Sequence, residues 1–300
     1  MSNRRIAFLM NPSAGIRKKR RLREFVESSA KARNIPFEFS STNAAGKYPE
    51  LEEEIRNGKY SDVVIIGGDG TVRNVVAALR HTGVRFGLVP TGSGNGLALS
   101  AKIPVDTKKA LDIVYEGTAR PIDAFTINGH FSCMLSGIGF DAKVAHEFSR
   151  SPTRGLQTYL KIGIKNFFNA RCYPFRIHMG GHVNHTEAYF ISIANSNQFG
   201  NQFTIAPQAK LNDGLMDVVV VQKMNKLQLL ISVIQQIRFG DIREDIFKKN
   251  CILYFQTDRF RIENPYNAPF HIDGDPAETS SSFDIGVIPN AFLLIQPSAE

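Results

Sequence analysis

The sequence predicts two domains, an N-terminal α/β domain with a parallel sheet and a C-terminal antiparallel β domain, a sandwich or a barrel. In the first part of the chain, short apolar runs alternate with helical patterns, as in a parallel sheet covered by helices. Hairpin signals and strand-like runs dominate the rest. The length of 300 residues fits two domains of about 150 residues each. We place the domains at residues 1–122 and 123–289, with a strand near 290–300 that can return to the first.

The first domain is predicted from apolar runs that each precede a helical pattern. The runs predict strands at residues 6–10, 63–66 and 86–89. Apolar residues spaced i, i+3, i+4 and i+7 indicate helices at residues 22–30, 72–79 and 106–116. Strands that alternate with helices along the chain favour a parallel sheet.

The second domain is predicted from hairpin signals. Asn128-Gly129 separates two strand-like runs, and this dipeptide favours a type I′ turn because both central residues need positive φ. Gly180-Gly181 marks a second hairpin. The strand-like runs are at residues 121–127, 131–136, 175–179, 186–194, 217–221, 252–256, 260–262, 270–272, 283–287 and 292–296. Helical patterns interrupt them at residues 154–169 and 226–239.

Composition and charge exclude several classes of protein. No apolar run approaches the length of about 20 residues that a membrane span needs, and the run at 6–10 is too short for a secretory signal. The three cysteines are far apart and form no C-x-x-C pair, which argues against a disulfide framework and a zinc ribbon. The net charge of +8 favours an acidic partner. We therefore expect a cytoplasmic protein.

Three glycine-rich segments follow the predicted strands of the first domain, at residues 11–15, 67–71 and 91–96. In an open parallel sheet, ligands bind at the carboxyl ends of the strands, so all three loops are expected at one edge. Glycine lets the backbone approach a phosphate closely and lets successive N–H groups face one anion. One such loop is most often a plain turn, whereas three at one edge predict a phosphate site.

Polar side chains within these loops suit the same ligand. Ser13, Thr71 and Ser93 can donate hydroxyl hydrogen bonds to phosphate oxygens. Asp69 lies among glycines, where a carboxylate suits Mg²⁺ or accepts a proton during phosphoryl transfer. The G-x-x-x-x-G-K-[ST] motif is absent, so the site is not a P-loop.

The ordered motifs resemble the diacylglycerol kinase catalytic-domain family, which includes bacterial soluble lipid kinases and the sphingosine and ceramide kinases. The resemblance rests on Gly-Gly-Asp-Gly-Thr at 67–71, with Asn-Pro-Ser-Ala-Gly before it and Pro-Thr-Gly-Ser-Gly-Asn after it. Three more segments are similar, Gly-Ile-Gly-Phe-Asp-Ala at 137–142, Asp-Gly-Leu-Met-Asp-Val at 213–218 and His-Ile-Asp-Gly-Asp-Pro at 271–276. The resemblance implies a first domain like that of NAD kinases and 6-phosphofructokinases and a second domain that is an antiparallel β-sandwich.

The family resemblance implies ATP-dependent phosphorylation of a lipid hydroxyl, of diacylglycerol or a sphingoid-type lipid. The first domain would bind ATP with Mg²⁺, and the second would bind the lipid. The expected ATP-binding residues are Asn11, Ser13, Gly15, Thr42, Gly67, Gly68, Gly70, Thr71, Gly92, Ser93, Gly94 and Asn95.

The same resemblance implies the catalytic and metal residues. Asp69, Asp273 and Asp275 are the candidate catalytic acids, and the choice of general base among them stays open. Asp213, with the carbonyl groups of Met216 and Val218, matches a structural metal site of some bacterial members.

The expected partners are ATP and a lipid at an anionic membrane surface, with no nucleic acid. We expect peripheral contact with the inner membrane face, and the oligomeric state stays open, a homodimer included. Six of the seven residues at 17–23 are basic, which suits a solvated helix face, a phosphate contact or an anionic membrane.

The sequence also departs from the family pattern. Asp275 stands where the family usually has Glu, Arg73-Asn74 stands where it usually has Asn-Glu, and Gly96 stands where many bacterial members have Asp. Two rival interpretations therefore stay open. One is an NAD-kinase-like enzyme with a soluble acceptor, and the other is a catalytically weak protein that binds a nucleotide or a lipid.

Overall fold

The computed structural model describes residues 4–11, 16–43, 45–153, 155–197, 205–224 and 251–298. Ser13, Gly15 and the helix expected at 226–239 lie outside the described residues. The chain divides into two compact units, one of Met1–Ile122 with Asn290–Glu300 and one of Asp123–Pro289.

A parallel sheet forms the first unit. Its strands are β1 (Ile6–Met10), β2 (Phe37–Ser41), β3 (Asp62–Gly67) and β4 (Arg85–Pro90). They lie in the order β4-β3-β1-β2 and pair in parallel, as alternating strands and helices predicted. All six residues of β3 are buried, which is typical of a parallel strand covered on both faces.

Helices cover this sheet. They are α1 (Ile16–Ala32), α2 (Pro49–Arg56), α3 (Asp69–Leu79), α4 (Gly96–Ser100) and α5 (Thr107–Glu116), with a 3₁₀ turn at Arg80–Thr82. Asp106 caps α5, since its carboxylate accepts a hydrogen bond of 2.9 Å from the Lys109 N–H. Phe8, Val64 and Leu111 join strands and helices in one buried core. Burial of each such side chain stabilises the fold by about 1.5–3 kcal/mol.

The second unit is built from antiparallel strands. They begin in β5 (Thr118–Ile127) and continue as β6 (His130–Ser132), β7 (Leu135–Gly139), β8 (Tyr173–Met179), β9 (His182–Ala194), β10 (Met216–Gln222), β11 (Ile252–Thr257), β12 (Arg259–Glu263), β13 (Phe270–Ile272), β14 (Asp275–Ala277) and β15 (Ser282–Gln296). The neighbours run in the order β14-β13-β7-β9-β8-β12-β15, and β10 lies between β9 and β11. Two helices, α6 (Phe140–Arg150) and α7 (Leu156–Phe167), complete the unit.

The predicted fold class is confirmed, and so are both hairpin turns. Asn128 and Gly129 have φ values of 50° and 82°, the positive values that a type I′ turn requires. Gly180 and Gly181 join β8 to β9 with φ values of 57° and 81°.

Several elements differ from the sequence predictions, and among them α4, α6 and β14 were not predicted at all. The strand-like runs at 283–287 and 292–296 are parts of the single strand β15. Its first part pairs with β12, and Leu293 and Leu294 pair in parallel with β4. The sequence analysis missed β2 and α2, because β2 is only half-buried and α2 buries one residue, Ile55.

Candidate active site

The glycine loops of the first unit leave the sheet at one edge. Met10, Gly67 and Pro90 are the last residues of β1, β3 and β4. Met10 pairs with Ile66, and Gly67 pairs with Pro90, so the strand ends are level. The loops therefore begin side by side at the carboxyl edge, where open parallel sheets bind ligands.

Asn11 and Thr42 lie at this same edge. The Asn11 Nδ2 donates a hydrogen bond of 3.0 Å to the Thr71 Oγ1, which joins the loop after β1 to the loop after β3. The Thr42 N–H donates to the Met10 carbonyl oxygen at 3.0 Å. The structure thus brings together Asn11, Thr42 and Thr71, three of the residues expected to bind ATP. Ser13 and Gly15 lie outside the described residues.

Gly68 and Gly92 bring the second and third loops into backbone contact. A Cβ on Gly68 would lie 2.9 Å from the Gly92 Cα, and a Cβ on Gly92 would lie 2.6 Å from the Gly68 Cα. Gly67 is similarly constrained, because its Cβ would lie 2.7 Å from the Thr71 Cβ. No other amino acid fits at Gly68 or Gly92 without a shift of the backbone. The two loops thus form a cradle of half-buried main chain.

Asn95 holds the third loop in shape from within. Its Oδ1 accepts a hydrogen bond of 3.0 Å from the Gly92 N–H, and its Nδ2 donates one of 2.9 Å to the Gly92 carbonyl oxygen. Asn95 is buried and has a φ of 56°, a conformation that asparagine tolerates. Ser93 is exposed and Gly94 half-buried, so the outer face of the loop is formed by these two residues.

Asp69 is the first residue of α3 and is half-buried. Gly68 precedes the helix in an extended conformation with no side-chain cap, and Gly70 and Thr71 complete the first turn. A helix N-terminus favours anions because its first N–H groups have no partner within the helix. A carboxylate beside such a terminus can carry a hydrated Mg²⁺, which needs only one or two protein carboxylates besides phosphate oxygens. Among the described residues, no cluster of three or more His, Cys, Asp or Glu side chains could hold a metal ion.

The acidic turn of the second unit is a tight hairpin between β13 and β14. Asp273 and Gly274 are its two central residues, with φ values of 48° and 82°. Asp273 is buried and Asp275 is exposed. The Asp273 carboxylate accepts hydrogen bonds from the hydroxyl of Ser132 at 2.6 Å and from the backbone N–H groups of Leu135 at 3.0 Å, Met134 at 3.1 Å and Cys133 at 3.3 Å.

The surroundings of Asp273 and Asp275 suit the two carboxylates to different chemical roles. Because four donors surround its oxygens, the Asp273 carboxylate is held in place and is poorly placed to take a further proton. Asp275 opens β14 opposite Ile272 with its side chain on the surface, where a substrate hydroxyl can reach it. The sequence analysis had no signal for the role of the turn at 132–135, because it depends on backbone groups.

The segment expected to hold a structural metal is packed by hydrogen bonds. Asp213 is exposed, and its Oδ1 accepts from the Leu215 N–H at 3.1 Å. Met216 and Val218 are buried in β10. The Val218 carbonyl faces a neighbouring strand, since β10 is paired on both sides. A structural metal at this segment stays a prediction.

Two aspartates that the sequence analysis did not single out stabilise the same segment. The Asp123 Oδ2 accepts a hydrogen bond of 2.7 Å from the Gly214 N–H. Asp217 is fully buried and accepts from the Tyr254 hydroxyl and from the Gln256 Nε2. Burial raises the pKa of the Asp217 carboxyl above its ordinary value. No motif distinguishes such structural acids from functional ones.

Two family models match most of the chain. Residues 5–127 match the diacylglycerol kinase catalytic domain. Residues 135–296 match the YegS C-terminal NAD kinase beta sandwich-like domain. An α/β unit with glycine loops at its strand ends, joined to an antiparallel β unit of this kind, defines a class of kinases.

Several proteins that are similar to this chain over most of their length are named as lipid kinases or diacylglycerol kinases. The chain is 26% identical to a probable lipid kinase YegS-like from Alcanivorax borkumensis, over 82% of each chain. It is also 26% identical to a diacylglycerol kinase from Bacillus subtilis, over 78% of each chain. A crystal structure of a diacylglycerol kinase from Bacillus anthracis has the same fold, with a TM-score of 0.75 and 20% identity over 97% of this chain and 96% of that one. The chain belongs to the diacylglycerol kinase catalytic-domain family of lipid kinases and carries the YegS-type C-terminal domain.

Within the part of the chain that the structure describes, no helix is long and apolar enough to cross a bilayer.

Proposed function

We propose that this protein transfers the γ-phosphate of ATP to a hydroxyl group of a lipid, diacylglycerol or a sphingoid-type lipid. The observation that carries the proposal is the backbone cradle of Gly68 and Gly92 at the strand ends of the first unit, where the two loops touch and leave no room for a Cβ. Such a cradle suits a polyphosphate, because main-chain N–H groups can surround its oxygens. Membership of a lipid kinase family supports both the donor and the acceptor.

In this proposal the first unit holds the nucleotide. The N–H groups of the loops and of the α3 N-terminus bind the phosphates, and the Thr71 and Ser93 hydroxyl groups add hydrogen bonds. Asp69 would hold Mg²⁺, which would neutralise charge on the phosphates. Asn95 and the Asn11–Thr71 hydrogen bond keep the loops in shape before the nucleotide arrives.

The second unit then supplies the group that handles the acceptor hydroxyl. Asp275 takes the proton of the lipid hydroxyl while the oxygen of that hydroxyl forms a bond to the γ-phosphorus. The bond between that phosphorus and the bridging oxygen breaks, and its electron pair leaves with ADP. Asp273 is not the proton acceptor in this scheme. It anchors the turn through its hydrogen bonds to the residues at 132–135.

One face of the second unit suits contact with a lipid surface. Lys161, Ile164, Lys165 and Phe168 are exposed at positions i, i+3, i+4 and i+7 along α7 and its C-cap. Ile164 is 47% exposed and Phe168 is 61% exposed. Two apolar side chains flanked by two lysines match a membrane interface with anionic head groups. We propose peripheral contact with an anionic membrane through this face.

The basic stretch of α1 offers less support for membrane contact. Among its described side chains, Arg20 and Arg23 pair with Glu24 and Glu27 one helical turn away, at 3.5 and 2.7 Å. Such i,i+4 pairs are typical of a solvated helix face.

The direct test is a transfer assay with γ-labelled ATP and Mg²⁺. The panel of acceptors contains diacylglycerol, sphingosine and ceramide in mixed vesicles, together with NAD. We expect label in a lipid product and none in NADP, and we expect the Asp69→Asn variant to lose most of the activity. Label in NADP, or a rate for Asp69→Asn equal to that of the wild type, would overturn the proposal.

A further inference from the structure

A buried pair of ionisable side chains lies beside the acidic turn of the second unit. His271 is in β13 and Asp141 is in the first turn of α6, and their exposed fractions are 1% and 5%. The His271 Nε2 lies 3.4 Å from the Asp141 Oδ2. Groups of this kind are rarely buried so completely unless they interact with each other.

The strand opposite is shaped to admit this pair. His271 pairs with Gly137 in β7. A Cβ on Gly137 would lie 1.8 Å from the Asp141 Oδ2 and 2.8 Å from the His271 Nε2. The carboxylate thus occupies the space that any other side chain at position 137 would need. Gly137 is therefore part of the same arrangement.

The second ring nitrogen of His271 joins the pair to the turn. The Gly274 N–H donates a hydrogen bond of 3.1 Å to the His271 Nδ1. A nitrogen that accepts a hydrogen bond carries no proton, so this contact implies a ring proton on Nε2, facing Asp141. The other Asp141 oxygen, Oδ1, accepts from the Ala142 N–H at 2.7 Å. A continuous chain of contacts runs from the start of α6 to the backbone of the turn.

We propose that Asp141 and His271 are positioning residues that hold the Gly274 amide and so direct the Asp275 carboxylate toward the acceptor hydroxyl. Asp273 anchors one side of the turn through the residues at 132–135, and His271 anchors the other side. A two-residue turn with both sides fixed gives the residue that follows it little freedom. This inference rests on the proposed function, in which Asp275 contacts the acceptor.

The first test measures the state of the His271 ring and needs no activity. Long-range ¹H–¹⁵N spectra of the protein with ¹⁵N-labelled histidine distinguish the two neutral tautomers from the imidazolium. The His271 signals are assigned through their correlations to its own backbone. We expect the neutral ring with its proton on Nε2 at pH 7. A proton on Nδ1, or a doubly protonated ring, would overturn the proposed hydrogen bond to Gly274.

The second test separates positioning from general stability by kinetics. Asp141→Asn can donate to Nε2 and so favours the wrong tautomer, whereas Gly137→Ala displaces the carboxylate without removing a polar group. We expect both to lower kcat for lipid phosphorylation by about 10- to 100-fold, since small misplacements of a reacting group have this effect. The KM for ATP should stay within about twofold, because uniform binding is not changed. His271→Asn, whose carbonyl can replace Nδ1 as acceptor, should retain more activity than His271→Ala.

The matched control is His178→Gln, which alters a half-buried histidine–carboxylate pair of the same unit. The His178 Nε2 lies 2.9 Å from the Glu263 Oε1, away from the turn. Its kcat should equal that of the wild type. Equal kcat for Asp141→Asn, Gly137→Ala and the control would overturn the inference. If the wild type transfers no phosphate to any lipid, the proposed function fails, and the ring spectrum still decides whether the pair holds the turn.

Discussion

At the scale of single residues, the two aspartates of the acidic turn show how position decides the role of a carboxylate. Asp273 and Asp275 are two residues apart, yet one is buried among four donors and the other is exposed. The motif predicted that both matter and left the general base open. The structure distinguishes their surroundings, since the backbone path at 132–135 brings four donors to Asp273. We therefore propose an anchoring role for Asp273 and a chemical role for Asp275.

The Asp275 carboxylate can be tested by an isosteric change. Asp275→Asn keeps the size of the side chain and removes its capacity to accept a proton, so kcat should fall by about 10²- to 10⁴-fold. Asp275→Glu, which restores the residue usual in the family, keeps a carboxylate that can accept the proton. Its kcat should therefore stay within about tenfold of the wild-type value. The control is Asp284→Asn, which changes an exposed aspartate of β15. Equal kcat values for Asp275→Asn and Asp284→Asn would contradict the assignment.

At the scale of elements, the pattern of apolar residues predicts the buried strands and misses the partly exposed ones. The apolar runs of β1, β3 and β4 were visible because these strands are in the core. The edge strand β2 has three half-buried residues followed by two exposed ones and gave no such run. The long strand β15 read as two strands, because Pro289 and Asn290 in its middle look like a turn. Asn290 does have a positive φ, of 50°, but the strand continues through it.

The exposed face of helix α7 allows the proposed membrane contact to be tested. Replacing Ile164 and Phe168 with serine removes the exposed apolar surface, and replacing Lys161 and Lys165 with glutamate reverses the charge. Both double variants should bind anionic vesicles at least about tenfold more weakly than the wild type, since each basic residue near such a surface adds about 1 kcal/mol. Cosedimentation at low salt measures the binding, with Lys108→Glu and Lys109→Glu on α5 as the charge-matched control. Equal binding by all proteins to anionic and neutral vesicles would contradict the membrane role of this face.

At the scale of the whole molecule, the order of motifs along the chain predicted the family and both fold types. Parallel strands place their carboxyl ends at one edge, so the sequence alone predicts that the glycine loops lie together. The Asp141–His271 pair could not be predicted in this way. Its contact depends on the register of β13 against β7 and on where α6 begins, and neither is encoded in a local pattern. Contacts of this kind, between residues far apart in the sequence, account for most of the site features that the sequence did not predict.

Calorimetric titration of Mg-ATP into the protein directly measures whether the glycine loops bind the nucleotide. We expect the wild type to bind ATP. We expect Gly92→Ala, whose Cβ would lie 2.6 Å from the Gly68 Cα, to bind it at least about tenfold more weakly, because the added methyl group forces the two loops apart. Gly163→Ala is the matched control, since its Cβ would meet nothing within 4 Å, and it should bind like the wild type. Equal affinity in all three proteins, or no binding by the wild type, would contradict the claim that these loops hold the nucleotide.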